Sequence, residues 1–339
     1  MRVPFERMCA EFRRVLIGLG MARERAGLCA ELFAGSSLDG VHSHGLNRFP
    51  SFVRHIREGR VDVHAAPTRI AACGPIERWE GHRGPGPLNA HFAMARAIEL
   101  AREHGMGCVA LRNTNHWMRA GSYGWQAAEA GCIGICWTNT ISNMPPWGAK
   151  TPTVGNNPFV IAVPRPLQQG SGQAAHVVLD MAMSLFSWGR MDSYRRAGQP
   201  LPVPGGYDQA GELTCDPDAV FASRRPLPAG LWKGSGLALM LDLTATLLAA
   251  GNAAWQIDQA GGWDVGASQV FIAFDTGRLP PAEIDNVADR IIEHFHTAEP
   301  IAPDRPVLYP GERAYRTRQE NLKSGIPVDP ETWQKVLEM

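Results

Sequence analysis

No stretch of this 339-residue chain approaches the ~18 uninterrupted apolar residues that a membrane-spanning helix needs; even the run L-A-L-M-L is closed by Asp242. Cysteine is sparse. Seven residues, an odd number with no C-x-x-C pair, exclude a disulfide scaffold, and Cys132 and Cys136 lie four apart in an apolar stretch that reads as reduced core. An excess of either charge is lacking too, with 33 basic against 33 acidic residues. No basic run is present to track nucleic acid or a membrane surface. The opening M-R-V-P-F-E-R-M-C-A-E-F-R-R interleaves acids and arginines where a signal peptide carries an apolar core, so the expectation is a reduced, cytoplasmic protein. The usual nucleotide and hydrolase motifs are missing: there is no G-x-x-x-x-G-K-[ST], no G-x-S-x-G and no H-E-x-x-H. The segment G-M-G-C-V-A, from Gly105 to Ala110, follows a helix and opens a strand, the reverse of a phosphate-binding turn.

What is present reads as a folded α/β enzyme of about two domains, 45% hydrophobic and rich in the Gly (36) and Pro (26) of loops. Phe5, Met8, Cys9, Phe12, Leu16 and Leu19 repeat with helical period before Gly20, and further helices are expected over 22–38 and 49–58. Strand-like runs follow at 109–111, 133–137, 159–163, 177–179 and 270–274, alternating with helices at 88–104, 122–130 and 237–249. The 237–249 helix is apolar nearly all round, which predicts burial. After Pro280-Pro281, a stripe of Ile284, Val287, Ala288, Ile291, Ile292 and Phe295 predicts a helix with Glu283 and Asp285 in its first turn. A last helix is expected to be capped by Asp329, to begin at Pro330 and to bury Trp333, Val336 and Leu337. The segment from Gln168 to Ala175 has the composition of a flexible surface loop.

Three places gather polar groups. In H-S-H-G-L-N-R, two histidines and Arg48 stand at a helix–helix junction. A histidine can give a proton near neutral pH and an arginine can fork onto a carboxylate, which suits an anionic carbonyl substrate; a plain surface loop fits the residue types equally well. No third ligand follows at zinc spacing, so no metal is expected. R-N-T-N-H-W-M-R, with His116, and W-T-N-T-I-S-N-M-P-P-W-G-A-K, ending at Lys150, each follow a strand, where α/β domains tend to bind ligands.

These segments, with G-N-N-P, D-M-A-M-S, L-W-K-G-S-G and the closing G-I-P-V-D, resemble the type-2 malate/L-lactate dehydrogenase family nearly end to end. The resemblance implies a non-Rossmann nicotinamide-binding fold of mixed α/β (α+β) type. Its central sheet would be largely antiparallel, with a helical domain from residues 1–66 and 308–339 and a cofactor-binding domain at 67–307. Position by position it implies His44 as proton donor and Arg48, His116 and Lys150 on the substrate. The cofactor would lie against His176, Val177, Val178, Leu179, Asp180, Met181 and Ala182, then Trp232 and Lys233, then Gly311, Glu312 and Arg313. Asp180 is a further candidate to orient the catalytic histidine. M-P-P-W-G-A-K and N-H-W-M-R point to the branch that reduces 2,3-diketo-L-gulonate with NAD, NADH rather than NADPH. Sister activities on malate, L-lactate, ureidoglycolate or a cyclic imino acid stand as alternatives, as does a non-catalytic sugar-acid binding protein. A homodimer is implied. Two departures stand out: 168–175 reads as an insertion just before a cofactor segment, and Asn156 occupies the position where G-T-N-P carries Thr.

Overall fold

The computed structural model describes residues 1–165, 175–260, 265–279 and 286–339. All of the expected loop at 168–175 except Ala175, and Pro280, Pro281, Glu283, Ile284 and Asp285, lie outside these. After a two-residue strand β1 (Arg2–Val3), three helices open the chain: α1 (Phe5–Gly18), α2 (Arg23–Leu38) and α3 (Phe49–Arg57). Gly20, at φ +89°, makes the left-handed turn that ends the first of them. Their apolar faces meet around Phe12, Phe33, Phe49 and Phe52, with Phe12 and Phe49 stacked at 4.1 Å. The chain's end returns to this same core. β12 (Ile326–Pro327) pairs with β1, and the final helix α12 (Pro330–Leu337), capped by the Asp329 carboxylate on Thr332 N–H, buries Trp333 and Val336.

A seven-stranded sheet forms the middle of the molecule. Its strands are β2 (Thr68–Cys73), β3 (Ile76–Glu80), β4 (Met106–Asn115), β5 (Cys132–Thr138), β6 (Phe159–Val163), β7 (Val177–Met181) and β11 (Val265–Asp275), in the order β2-β3-β4-β11-β5-β6-β7. Every neighbouring pair is antiparallel except β3 with β4. One face is covered by α4 (Gly86–His104) and α5 (Gly121–Glu129). Alanines 90, 93, 97 and 101 let α4 lie close, and a Cβ on Gly107 would stand 2.2 Å from the Ala97 carbonyl oxygen. Cys132 and Cys136 are fully buried in this layer as unpaired thiols.

The other face is covered by α8 (Trp232–Ala249), through Ala238, Leu241, Ala245 and Ala249. Here the expectation of burial is wrong. Leu239, Met240, Leu243 and Leu247 point away from the sheet, 46% to 72% exposed, because a helix on an outer layer has only one stripe to bury. The helix α10 (Val287–Phe295), which carries the expected stripe from Val287 on, buries none of its residues. Between β7 and α8 the chain forms a small lobe of α6 (Trp188–Arg196), β8 (Gly206–Tyr207), β9 (Leu213–Thr214), α7 (Pro217–Ser223) and β10 (Arg225–Pro226). α9 (Ala254–Gln259) and α11 (Glu312–Ser324) complete the described elements. Among the described residues no helix is long and apolar enough to cross a membrane.

Candidate active site

A cleft of about 1490 Å³ opens where the α2–α3 junction, the end of β4, strand β7, the small lobe and the start of α11 converge. The junction is a single 3₁₀ turn, His42–His44, pressed onto α2: the Leu46 N–H donates to Ser37 Oγ at 2.8 Å, and a Cβ on Gly45 would lie 2.1 Å from that oxygen. His44 and Arg48 emerge from this turn into the cleft. His116 arrives from beyond β4, on a backbone that cannot slide, since Gly86 of α4 lies where a Cβ would be 2.1 Å from the His116 carbonyl oxygen. The His44 and His116 rings stack with centroids 5.7 Å apart. Residues more than seventy positions apart in the chain thus share one wall.

Their electrostatics differ. His44 Nδ1 pairs with Ser43 Oγ at 3.0 Å. His116 Nδ1 accepts the Met118 backbone N–H at 2.9 Å, and burial, reinforced by Arg48 and His55, pushes its pKa down to about 3. It is a neutral imidazole. His42 faces elsewhere and does not line the cleft; burial lowers its pKa as well. On the floor, Asp180 is open to the cleft but ringed by protein elsewhere. That desolvation raises its carboxyl, while Arg119 and the Gly121 N–H, donating at 2.8 Å, oppose the rise.

Strand β7 contributes Val178, Leu179 and Asp180 to the lining, followed by Ala182; Gly311 and Arg313 stand across from them. Other expected residues lie elsewhere. His176 is buried, its Nδ1 accepting the Arg165 N–H at 3.0 Å, and burial lowers its pKa to about 4. Val177 and Met181, at the two ends of the strand, fall outside the lining. Glu312 is buried in ion pairs with His296 and Arg316 and accepts the Tyr309 N–H. Lys150 is exposed and off the cleft, in a turn whose Trp147 N–H donates to Ser235 Oγ of α8. Trp232, 66% exposed, and Lys233 also stand off it, at the first turn of α8.

Several lining residues escaped the sequence reading. Asp39 is buried and holds both Arg119 and Arg318, the latter at 2.6 Å, behind the His44 wall. Trp188, Phe221 and Arg224 come from the small lobe, whose elements are too short to show a period. Thr140, Ser142 and Asn143 belong to a polar stretch that the sequence did flag, but for its lysine instead, and Asn156 was singled out only as a departure from G-T-N-P.

The sequence profile of malate/L-lactate dehydrogenases matches residues 3–337. The chain belongs to that family. It is 46% identical over 337 residues to a 2,3-diketo-L-gulonate reductase of Citrobacter koseri and 45% identical over 337 residues to the enzyme of that name from Escherichia coli, with 99% of each chain covered in both cases. Among solved structures, the malate dehydrogenase of Pyrococcus horikoshii OT3 superposes with a TM-score of 0.88 at 28% identity, covering 100% of this chain and 94% of the other. A malate/L-lactate dehydrogenase is an oxidoreductase that works with a nicotinamide cofactor on a small keto or hydroxy acid. The cleft here fits such a cofactor. It exceeds the ~300–1,000 Å³ of ordinary ligand pockets, as a dinucleotide with a substrate beside it would need. Gly311, at φ +94°, leaves room that a Cβ would fill, 3.0 Å from Val178 N, and Arg313 supplies a cation near that narrowing.

Proposed function

We propose that this chain is an NADH-dependent reductase of 2,3-diketo-L-gulonate, turning the keto group of the sugar acid into the hydroxyl of 3-dehydro-L-gulonate. The observation that carries the reading is the meeting of His44, Arg48 and His116 in one cleft against β7. The relatives of that name, alike over 99% of the chain, support the choice of substrate.

Bound nicotinamide supplies the hydride. The chain's own residues do the rest. Arg48, with two parallel N–H donors, forks onto the substrate carboxylate and fixes which face of the carbonyl is presented. His44 gives its proton to the carbonyl oxygen as negative charge builds there, a contribution of about 10²–10⁴-fold for a placed general acid. His116 stays neutral and offers its Nε2–H as a donor, with no proton to give up. Val178, Leu179, Ala182, Gly311 and Arg313 hold the cofactor. Lys150, Trp232 and Lys233, which stand off the cleft, are left without a role in one chain's site.

We further propose a homodimer formed through the uncovered face of α8, where Leu239, Met240, Leu243 and Leu247 leave a contiguous apolar strip facing water. A cytoplasmic location accords with seven cysteines that are all unpaired. The decisive assay measures kcat/KM for 2,3-diketo-L-gulonate, oxaloacetate and pyruvate with NADH and with NADPH. The sugar acid with NADH should lead. A tenfold advantage for oxaloacetate or pyruvate would reassign the substrate within the family. No turnover of any keto acid would leave only the binding-protein alternative.

A further inference from the structure

One amide in the cleft wall is fixed in orientation by its neighbours. The backbone N–H of Asn156 is an unambiguous donor, and it reaches Asn143 Oδ1 at 2.8 Å. That contact identifies the other end of the Asn143 amide as its NH₂ group, which meets Asn156 Oδ1 at 2.9 Å. Thr140 Oγ1 also lies 3.2 Å from that same oxygen. The acceptor side of the Asn156 amide is therefore occupied, and its two N–H donors are turned the other way. Asn156 is half-buried and lines the cleft. The arrangement is built: Gly155 is needed beneath it, because a Cβ there would lie 2.1 Å from Asn157 Oδ1 and 2.4 Å from Thr140 Oγ1.

Position along β7 says which end of the cleft this amide serves. Gly311 packs on Val178, whereas the Asn156 carbonyl accepts the Met183 N–H at 2.8 Å, five residues further on. From Val178 to the end of β7 at Met181 the chain is extended at about 3.3 Å per residue, so the two points are on the order of 10 Å apart. The Met183 end leads into the small lobe, and Gly189 of that lobe closes on Ser43, the neighbour of His44: a Cβ on Gly189 would stand 2.6 Å from the Ser43 Cβ. Asn156 thus sits at the reacting end, away from Arg313.

Resting on the reading of this chain as a keto sugar-acid reductase, we propose that Asn156 is a specificity-determining residue: its amide N–H groups donate to an oxygen on the substrate's carbon chain beyond the carboxylate. A 2-oxo acid with a further oxo or hydroxyl group meets this donor, and a short one such as pyruvate does not. A threonine, as in the pattern G-T-N-P, has a single hydroxyl. It cannot both engage Asn143 and offer two donors to the cleft.

The test uses full-length wild type, Asn156→Thr and Asn156→Asp. It measures kcat/KM for 2,3-diketo-L-gulonate and for pyruvate, NADH affinity by fluorescence titration, and thermal melting. Asn156→Asp keeps an acceptor for Asn143 and Thr140 while withdrawing the donors, and it guards against collapse of the cluster in the threonine variant. Its added charge weighs on both acids, so the readout is the ratio of the two kcat/KM values. Loss of one substrate hydrogen bond should lower that ratio about tenfold in both variants, mainly through KM, with NADH affinity unchanged. An unchanged ratio overturns the proposal, and so does a loss of NADH affinity with the ratio preserved, which would assign the amide to the cofactor. Failure of the wild type to reduce the sugar acid would instead refute the reading on which the proposal rests, before any variant is compared.

Discussion

The imidazole Nδ1 of His116 accepts the backbone N–H of Met118 at 2.9 Å, and this one bond decides what His116 can do. An Nδ1 that accepts carries no proton, so the ring's hydrogen is on Nε2. Met118 is itself held at φ +64°, a left-handed conformation. With a pKa near 3, protonation is out of reach at any pH where the protein works. His116 is consequently a fixed hydrogen-bond donor. Replacing it with Phe should lower kcat/KM by about 10- to 100-fold, the scale of one desolvated hydrogen bond. The shape of the pH–rate profile between pH 5 and 9 should not change. A variant whose profile loses an ionisation would make His116 the acid after all.

Much of this site was legible because its residues sit where periodicity breaks. The helices on either side of His42–Arg48 are readable from their apolar spacing, so the polar link between them stood out. His116 directly follows a strand with a clear apolar run. Other features were not legible. β2 is exposed at all six residues and gives no alternation to read. α8 is equally apolar on both sides, and composition alone cannot tell a stripe that meets the sheet from one that meets water. The Asp39–Arg119–Arg318 group joins residues up to 279 positions apart, a pairing that no local pattern encodes.

Acid should destabilise the fold through its buried imidazoles. His116 and His176 have native pKa values of about 3 and about 4, against an ordinary 6.5 when unfolded. Between those limits the unfolded chain binds more protons than the native one, so stability rises with pH. The contribution is complete above pH 6.5 and drains away as pH falls towards 4 for His176 and 3 for His116. Melting temperature should therefore drop steadily below pH 6.5. His176→Gln, which cannot take up the proton in either state, should flatten the slope between pH 6.5 and 4. An unaltered slope would show that carboxylates govern acid unfolding in this range.

The apolar strip on α8 makes a second prediction that needs no assay of activity. Leu247 is 72% exposed and Leu243 46%, so a charge at either position is solvated within one chain and costs the isolated fold little. Buried between two copies, the same charge would be unpaired and expensive. Light scattering of the wild type should give twice the chain mass, and Leu243→Glu with Leu247→Glu should give the monomer with an unchanged circular dichroism spectrum. If the double variant remains a dimer, the contact lies on another face, with α10 the next to examine.

His44 is the residue whose removal should cost most. It lines the cleft beside the neutral His116 ring, and its Nδ1 is engaged by Ser43 Oγ. Asparagine at this position keeps a polar group of similar size but has no proton to transfer. For His44→Asn, kcat for reduction should fall about 10²-fold or more, the usual loss when a general acid is removed. NADH affinity should hold, because Val178, Leu179, Ala182 and Gly311 are untouched. His42 is the internal control: it lies two residues away in the same turn, off the cleft, so His42→Asn should stay within about threefold of wild type, a change of less than 1 kcal/mol in barrier. Should His44→Asn also stay within threefold, the proton must come from another group. With His116 tested by its own pH profile, Asp180, whose carboxyl is raised by desolvation on the cleft floor, would be the side chain to replace next.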